Sequence, residues 1–342
     1  MARYEVKQIT NKSEWEDFLS TRDEANFLQS WYWGEFQENI GHEIHRSGFY
    51  IDDRLAGVML GIVEPAKRGR YLTVPGGPII DFKDNELFGL AVDEMKSIGK
   101  KLNCVFVRVR PQLTNEDWLK NLFKGHKFRP AQMHLHAELT SQLDITRELD
   151  EIKNNLRKNT RYELKQAKKR GVIISSTQEP EAIDKFYEIQ LETASRHGFV
   201  PYSKKFLKEQ FMVFASNDLA KLYSAHTADQ KLIAQAFIIF YNKESAYHYG
   251  ASTSLGRTEP GAVAIQWEAI KEAKLRGMSR HNFWGVVKPE ETDHRFYGVS
   301  VFKRGFKGED VEYLHAQDLV LNKAKYLPNL VVETIRKRKR KV

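Results

Sequence analysis

The sequence predicts a mixed α/β protein made of a duplicated α/β unit. Apolar and polar residues alternate over short stretches, as in half-buried strands, and apolar residues recur every three or four positions over longer ones, as in helices. The order strand–helix–strands–helix–strand–helix–strand over 1–145 is followed by a similar order over 146–315, although the residues do not repeat. The length of 342 residues also suggests two or three domains.

In the first half, turn-forming residues separate short apolar runs, which indicates short strands joined by tight turns. Asp52-Asp53-Arg54 separates the two apolar runs of a hairpin, and Pro75-Gly76-Gly77-Pro78 forms a rigid turn. Aromatic residues before and within 31–36 indicate a helix that packs into a core. We predict strands at 4–9, 47–63 (the hairpin), 71–81, 103–111 and 128–139, and helices at 13–20, 27–41, 84–101 and 115–124.

The second half opens with a helical hairpin and ends with strands around a long helix. Tyr247, Tyr249 and Ala251 alternate with His248 and Gly250, which predicts a strand with the tyrosines on one face. We predict helices at 145–171, 181–199, 203–216, 264–276 and 325–342, and strands at 172–176, 220–227, 231–241, 245–252 and 281–285. Lys303 is expected at a further strand end, so that Arg304 points the opposite way.

Composition is that of an ordinary globular protein, with 41% hydrophobic and 29% charged residues. Residues 1–15 lack the apolar core of a signal peptide, and no run of about 18 apolar residues could span a bilayer. A cytoplasmic location is therefore expected. The single cysteine, Cys104, lies in an apolar run and reads as an inert core thiol. His134 and His136 share a predicted strand face, but without a third ligand they predict no metal site.

Positive charge is concentrated in two blocks. Residues 153–171 hold eight Lys/Arg and one Glu, or +7, and 336–341 contribute +6, so the remaining chain carries about −4 of the net +9. Such a distribution indicates a polyanionic partner, either nucleic acid or an anionic membrane face. The basic residues that fall roughly on one helical face, or directly beside it, are the predicted phosphate contacts: Arg157, Lys158, Arg161, Lys165 and Lys168.

Four short motifs occur in order within about sixty residues. They are Tyr249-Gly250-Ala251-Ser252, Gln266-Trp267, Phe283-Trp284-Gly285 and Phe302-Lys303-x-Gly305-Phe306-x-Gly308. In order and spacing this series resembles the second domain of the FemABX family, the aminoacyltransferases that build peptidoglycan cross-bridges from aminoacyl-tRNA. The Leu-Arg-Lys-x-Thr-Arg-Tyr stretch at 156–162 and the aromatic cluster near Trp33 are also similar to family elements.

The resemblance implies two tandem GNAT-like domains, each a mixed sheet flanked by helices, without a coiled-coil arm. The first would be 1–145, with 316–342 packing back on it, and the second 146–315. The implied reaction moves an amino acid from aminoacyl-tRNA to the stem-peptide side-chain amine of a peptidoglycan precursor. No cofactor is implied, and no Ser or Cys nucleophile is required, because the donor ester is already activated. Lys303 matches the family lysine that is held to stabilise the negative charge formed in the transfer.

The substrate-binding residues implied by the resemblance are Tyr249, Trp33, Gln37, Tyr202 and Lys208. Gln37 and Tyr202 align with positions that are basic, and bind a diphosphate, in relatives that use a soluble UDP-linked precursor. Neither residue can neutralise a diphosphate, so a lipid-linked acceptor is preferred over a UDP-linked one. The basic blocks leave peripheral contact with the inner membrane face open.

Two alternatives remain open at this point. One is a CoA-dependent N-acyltransferase of the GNAT fold, for which 257–262 is a degraded match to the turn that holds the CoA pyrophosphate. Glu259 adds negative charge there, and Pro260 removes an N–H donor. The other is a non-enzymatic tRNA- or envelope-binding protein on the same scaffold. The sequence does not determine which amino acid is transferred, the general base or the oligomeric state.

Overall fold

The computed structural model describes residues 2–340, apart from the side chains of His197 and of 338–340. Of the predicted basic tail at 336–341, Lys341 lies outside the described residues, and the side chains are described only for Arg336 and Lys337. The chain divides into two compact units, one comprising the residues up to Glu138 and those from Glu312 on, the other Leu139–Val311. No helix in the described part of the chain is both long and apolar enough to cross a bilayer.

The first unit alternates short helices with the strands of a mixed sheet. Its elements are β1 (Tyr4–Gln8), α1 (Lys12–Ser20), α2 (Trp31–Asn39), β2 (Glu43–Ile51), β3 (Arg54–Glu64), β4 (Tyr71–Gly76), α3 (Asn85–Lys101), β5 (Phe106–Pro111), α4 (Asp117–Gly125) and β6 (Arg129–Pro130).

The second unit has a similar succession. Its elements are β7 (Leu139–Asp144), α5 (Leu149–Asn155), α6 (Lys158–Lys169), β8 (Ile173–Thr177), α7 (Ala182–His197), α8 (Lys204–Ala215), β9 (Ala220–His226), β10 (Leu232–Tyr241), β11 (Glu244–Ser252), α9 (Gly261–Leu275), β12 (Arg280–Gly285), α10 (Tyr297–Arg304) and β13 (Glu309–Glu312). The chain then returns to the first unit through β14 (Gln317–Val320) and α11 (Lys323–Arg340).

The two sheets repeat one strand order. Among the described residues the first runs β1-β2-β3-β4-β5-β14-β6 and the second β8-β9-β10-β11-β12-β7-β13. In each, a parallel pair (β4 with β5, β11 with β12) is connected through a long helix, α3 or α9. The mixed α/β class and the duplicated arrangement that the sequence predicted are therefore confirmed.

Local sequence explains the first unit's connections and core. The β2–β3 hairpin turns at Asp52 and Asp53, which both adopt positive φ (47° and 64°), as a two-residue turn of this kind requires. Asp84 caps α3 by accepting bonds from the backbone N–H groups of Glu86 and Leu87. The core of this unit includes Phe49, Met59, Val74, Phe88, Met95 and Val107.

A buried ionic network joins α11 to the first sheet. Arg108 of β5 makes a bidentate pair with Asp318 of β14, at 2.7 and 2.8 Å. Glu333 of α11 also accepts from Arg108 at 2.8 Å, and the Tyr326 hydroxyl donates to Asp318 at 2.8 Å. These carboxylates hold the pKa of Arg108 above its ordinary value despite its burial. Removing one partner would leave an uncompensated buried charge.

Two predicted strands are wrong. The stretch 128–139 forms only the two-residue β6, and β7 begins at Leu139, so the alternation of His134 and His136 does not place them on a strand face. Lys303 lies in the last turn of α10, not at a strand end. The buried positions of this helix, Ser300 and Lys303, are three residues apart, as on one helical face, but both are polar, so apolar periodicity did not reveal the helix.

Candidate active site

Lys303 is a buried cation held by one backbone carbonyl. Its side chain is 8% exposed, and Nζ donates to the carbonyl oxygen of Gly285 at 2.7 Å. Nζ also lies 5.6 Å from the centre of the Tyr247 ring. Burial lowers the pKa of Lys303 to about 7. No carboxylate in the described part of the chain forms an ion pair with it, so its charge is not neutralised by the protein.

Helix α10 holds the end of β12 and the residues that follow it through three side chains. Besides the Lys303 bond to Gly285, the Ser300 hydroxyl accepts from the N–H of Val287 at 2.9 Å, and Arg304 donates to the Val287 carbonyl at 2.5 Å. Arg304 also pairs with Asp310 at 2.7 Å. Consecutive helical residues are about 100° apart, so the expected opposite orientation of Arg304 is wrong, and this arginine helps to anchor the segment.

The glycines of the last motif allow close backbone approach. The Gly305 carbonyl accepts from the N–H of Arg157 at 3.0 Å, and a Cβ at Gly305 would collide with the Thr160 hydroxyl. A Cβ at Gly308 would lie 2.7 Å from the Gln142 carbonyl of β7. These positions therefore let α6 and β7 pack against the end of α10.

A β-bulge separates the two tyrosines that the sequence placed on one face. Tyr249 pairs with Phe237 and Tyr247 with Ile238, so His248 is the extra residue in β11. Since Phe237 and Ile238 alternate and cross-strand partners share a face, Tyr247 and Tyr249 lie on opposite faces of the sheet. Tyr247 packs with the core beneath α9 and α10, where Lys303 meets it.

Tyr249 belongs to an aromatic cluster on the other face. The Tyr202 ring lies edge-on to Tyr249 at 5.9 Å and stacks on Phe206 at 4.3 Å. Tyr202 is 52% exposed, whereas burial raises the pKa of Tyr249 well above its ordinary value. Two of the predicted substrate-binding residues thus meet, and together they form an aromatic surface that reaches solvent.

Sequence reasoning missed His248 and Trp284, which connect this cluster with Lys303. The Trp284 ring lies edge-on to His248 at 5.7 Å, while the next residue, Gly285, supplies the carbonyl bound by Lys303. His248 Nε2 lies 2.8 Å from the Gln210 side-chain nitrogen, and burial lowers the pKa of His248 to about 3. His248 is therefore neutral near pH 7. A signal was present, since Trp284 lies within one of the motifs quoted above and His248 directly precedes another.

Lys208 is half-buried on α8. Its Nζ pairs with Glu181 at 3.2 Å, and the neighbouring Lys204 pairs with Asp184 at 3.2 Å. Ion pairs on exposed side chains are weak, so an anionic ligand could compete for both lysines.

Trp33 and Gln37 are buried in the first unit. Trp33 is 4% exposed and makes edge contacts with Phe27, Phe36 and His136. Gln37 is 5% exposed, and its side-chain oxygen lies 2.7 Å from His42 Nδ1.

Helix α6 presents most of the predicted phosphate contacts to solvent. Thr160 and Ala167 are buried, whereas the outward side carries the exposed residues Lys158, Lys165 and Lys168. Arg161 differs, because it donates to the carbonyls of Asn154 and Leu156, both at 2.5 Å, and so caps the end of α5. Arg157 is half-buried beside Gly305.

Tyr162 is a further residue that the sequence analysis missed on this helix. Its side chain is 61% exposed. By helical spacing it shares a face with Lys158, Lys165 and Lys169, which lie four residues before it and three and seven after it. An exposed aromatic ring among lysines is typical of surfaces that bind unpaired bases and phosphates together.

The turn before α9 carries the Glu259 carboxylate at the place where a CoA pyrophosphate would need hydrogen-bond donors. Arg170 pairs with Glu259 at 3.1 Å and donates to the Thr258 carbonyl at 3.1 Å. Pro260 precedes α9 and offers no N–H. An anion at this helix start would meet Glu259, which disfavours the CoA alternative.

A cavity of about 500 Å³ lies at the opposite end of β12 from Gly285. Its lining includes Arg147, which pairs with Asp144 and Glu151 at 3.5 and 3.6 Å, and Arg280, which pairs with Glu244 at 2.8 Å. These charges satisfy one another, so we assign it no function. No group of His, Cys, Asp or Glu among residues 2–340 has an arrangement that could hold a metal ion.

Comparison with known proteins identifies the family. A model of the FemAB family matches residues 10–141, 123–229 and 216–332. The chain belongs to the FemAB family. It is 23% identical to the aminoacyltransferase FemA of Staphylococcus aureus (strain MRSA252) over 415 residues, covering 94% of this chain and 98% of that protein. The predicted family and enzyme class are thereby confirmed.

Solved structures share the architecture of this FemAB member. The crystal structure of FemX superposes with a TM-score of 0.84 at 17% identity, covering 96% of this chain and all of that one. A tandem GNAT protein from the clavulanic acid biosynthesis pathway gives 0.59 at 7% identity, covering 94% and 98%. These similarities support the predicted GNAT-like fold.

Proposed function

We propose that this FemAB protein transfers an amino acid from aminoacyl-tRNA to the side-chain amine of the third stem-peptide residue of a peptidoglycan precursor. The observation that carries the proposal is the buried Lys303 cation, which has one backbone anchor and no counter-ion among the described side chains. A cation so placed can stabilise an oxyanion more strongly than one in water, because the surroundings have a low dielectric constant.

In the proposed reaction the acceptor amine attacks the carbonyl carbon of the aminoacyl ester. A C–N bond forms, the carbonyl oxygen becomes an oxyanion, and Lys303 stabilises that charge. Collapse of the intermediate breaks the ester C–O bond, and the proton lost by the amine is transferred to the departing ribose oxygen. The ester is already activated, so no covalent nucleophile is needed. Catalysis then consists of positioning and electrostatic stabilisation.

The aromatic cluster is the proposed acceptor-binding surface. Tyr249 and Tyr202 offer apolar ring faces that end in hydroxyl groups, and Lys208 adds a cation on the neighbouring helix. Trp33 and Gln37 are retained as acceptor candidates on the family resemblance.

We further propose that α6 binds the tRNA. Lys158, Lys165 and Lys168 would contact phosphates, and Tyr162 would stack on an unpaired base. Arg157 and Arg161 contribute charge, but their contacts with Gly305 and the end of α5 indicate that they mainly position the helix.

The preferred acceptor is the lipid-linked precursor. Tyr202 has no charge to offer a UDP diphosphate, and Gln37 is neutral and buried in the first unit. Contact of the enzyme with the anionic membrane face would bring it to that acceptor.

Turnover with defined substrates tests the function. The purified protein is incubated with tRNA charged with radiolabelled amino acids and with a lysine-containing muramyl pentapeptide in its lipid-linked and UDP-linked forms, with acetyl-CoA as the alternative donor. Lys303→Met should lower kcat by about 10²- to 10³-fold, as loss of an oxyanion-hole donor does. Lys307→Met is the matched control, because Lys307 is exposed and lies four residues away. Near-normal turnover by folded Lys303→Met would refute the assignment.

A further inference from the structure

The carbonyl that binds Lys303 follows a residue in an unusual backbone conformation. Trp284 has a φ of 64°, in the left-handed region that side chains with a Cβ rarely occupy. Such a conformation persists when its surroundings impose it, and it is often found at functional sites. In β12 the regular pairing with β7 is interrupted between Asn282 and Gly285, the segment that includes Trp284.

The Asn282 side chain imposes this conformation. Its oxygen accepts from the N–H of Trp284 at 2.8 Å, the bond two residues along by which asparagine stabilises a turn. Its nitrogen donates to Glu244 at 3.2 Å, and Glu244 also accepts from Arg280 at 2.8 Å. Asn282 is fully buried and Glu244 is 4% exposed, so the pair forms a fixed support between β11 and β12.

The left-handed turn at Trp284 has two consequences for the site. It directs the Gly285 carbonyl towards α10, where that oxygen accepts from Lys303 at 2.7 Å. It also holds the Trp284 ring against His248, at 5.7 Å. The position of the cation therefore depends on a backbone turn that is set by a side chain which touches neither Lys303 nor the aromatic cluster.

We propose that Asn282, supported by Glu244, is a positioning residue that fixes the Lys303 ammonium for the transfer reaction by holding the left-handed turn at Trp284. The inference rests on the proposed catalytic role of Lys303. A displacement of about 1 Å of a catalytic group can lower a rate by about 10²-fold. The effect should belong to the chemical step, since Asn282 is fully buried and its side chain bonds Glu244 and the N–H of Trp284.

The test compares Asn282→Ala with Ser245→Ala in the turnover assay with lipid-linked pentapeptide and charged tRNA. Ser245 is a matched control, because it is fully buried in β11 and its hydroxyl lies 2.8 Å from His281 Nδ1, outside the hydrogen bonds that Asn282 makes with Trp284 and Glu244. Asn282→Ala should lower kcat by about 10- to 100-fold and leave KM within about threefold. Ser245→Ala should lower the melting temperature and leave both constants near wild type.

The pH profile of kcat separates positioning from a loss of stability. Losing the Gly285 acceptor removes a hydrogen bond to the charged amine, so the upper midpoint of the profile should move to lower pH in Asn282→Ala. It should not move in Ser245→Ala. A midpoint that is unchanged or higher, or a kcat loss no larger than that of Ser245→Ala, overturns the proposal.

Trp284→Gly provides a second route should Asn282→Ala fail to fold. Glycine adopts the left-handed conformation unaided, so adding Asn282→Ala to Trp284→Gly should change kcat by less than about threefold. A further loss of about tenfold would mean that Asn282 acts in another way, and the proposal fails. Lys303→Met separates the catalytic role of Lys303 from the positioning role of Asn282. If Lys303→Met is inactive while Asn282→Ala behaves as wild type, only the positioning role is wrong. If Lys303→Met is active, the proposed catalytic role itself is wrong.

Discussion

Replacing Lys303 with methionine should make the protein more stable while abolishing most of its activity. Lys303 is 8% exposed, and burial lowers its pKa from the ordinary 10.5 to about 7. Each pKa unit corresponds to about 1.4 kcal/mol, so the buried ammonium lowers the free energy of unfolding by about 4 kcal/mol at pH 7. Methionine has a similar length and carries no charge.

Part of this gain is offset. The Gly285 carbonyl loses its donor, which costs about 1–3 kcal/mol if the oxygen stays buried. The net increase in the free energy of unfolding is therefore about 1–3 kcal/mol. At about 2–4 °C per kcal/mol, the melting temperature of the second unit should rise by several degrees. Denaturant unfolding and thermal melts of both proteins measure this directly.

The pH dependence of the stability difference shows whether the buried charge of Lys303 causes it. The unfolded chain binds a proton at Lys303 that the folded protein releases between pH 7 and 10.5, so wild-type stability gains from this residue as pH rises through that range. The advantage of Lys303→Met should accordingly be full below pH 7 and decline towards pH 10.5. An advantage that does not change with pH, or a variant less stable than wild type at pH 7, would show that the lysine is not a destabilising buried cation.

Further measurements test other parts of the site. The rate should fall as pH rises through about 7, because the Lys303 ammonium is lost; a rate that keeps rising to pH 9 would point to a neutral lysine. Burial lowers the pKa of His281 to about 3, so stability should fall as pH drops below 6.5, by up to about 1.4 kcal/mol per pH unit, and His281→Gln should reduce that slope. Tyr162→Ala should weaken tRNA binding with an unchanged salt slope, whereas Lys165→Ala should make the slope about 0.7 shallower; equal effects of the two would exclude stacking. Transfer to the lipid-linked pentapeptide should be faster than to the UDP-linked form, and the reverse order would refute the proposed acceptor.

The spacing of apolar residues was sufficient to predict most helices and strands of the fold, because it indicates which face of each element is buried. The helices α3 and α9 and the β2–β3 hairpin were found within a few residues of their positions, since their apolar spacing and turn residues agree. The strand predicted at 128–139 failed because three alternating positions around His134 and His136 also fit an irregular segment. Local pattern alone could not distinguish the two, since strand formation depends on a partner strand.

The candidate site was only partly accessible from sequence, because its geometry depends on two departures from regular strands. Alternation predicts Tyr247 and Tyr249 on one face, but the extra residue in β11 at His248 moves them to opposite faces. Alternation also does not predict the left-handed φ of Trp284, which directly precedes the carbonyl that Lys303 binds. Both departures occur where the parallel pairing of β11 with β12, which ends at Ala246 and Asn282, gives way. Backbone groups beyond that point need other partners, and Lys303 of α10 supplies one of them. The left-handed turn at Trp284, which residue periodicity cannot predict, thus precedes the Gly285 carbonyl that binds the buried Lys303 ammonium.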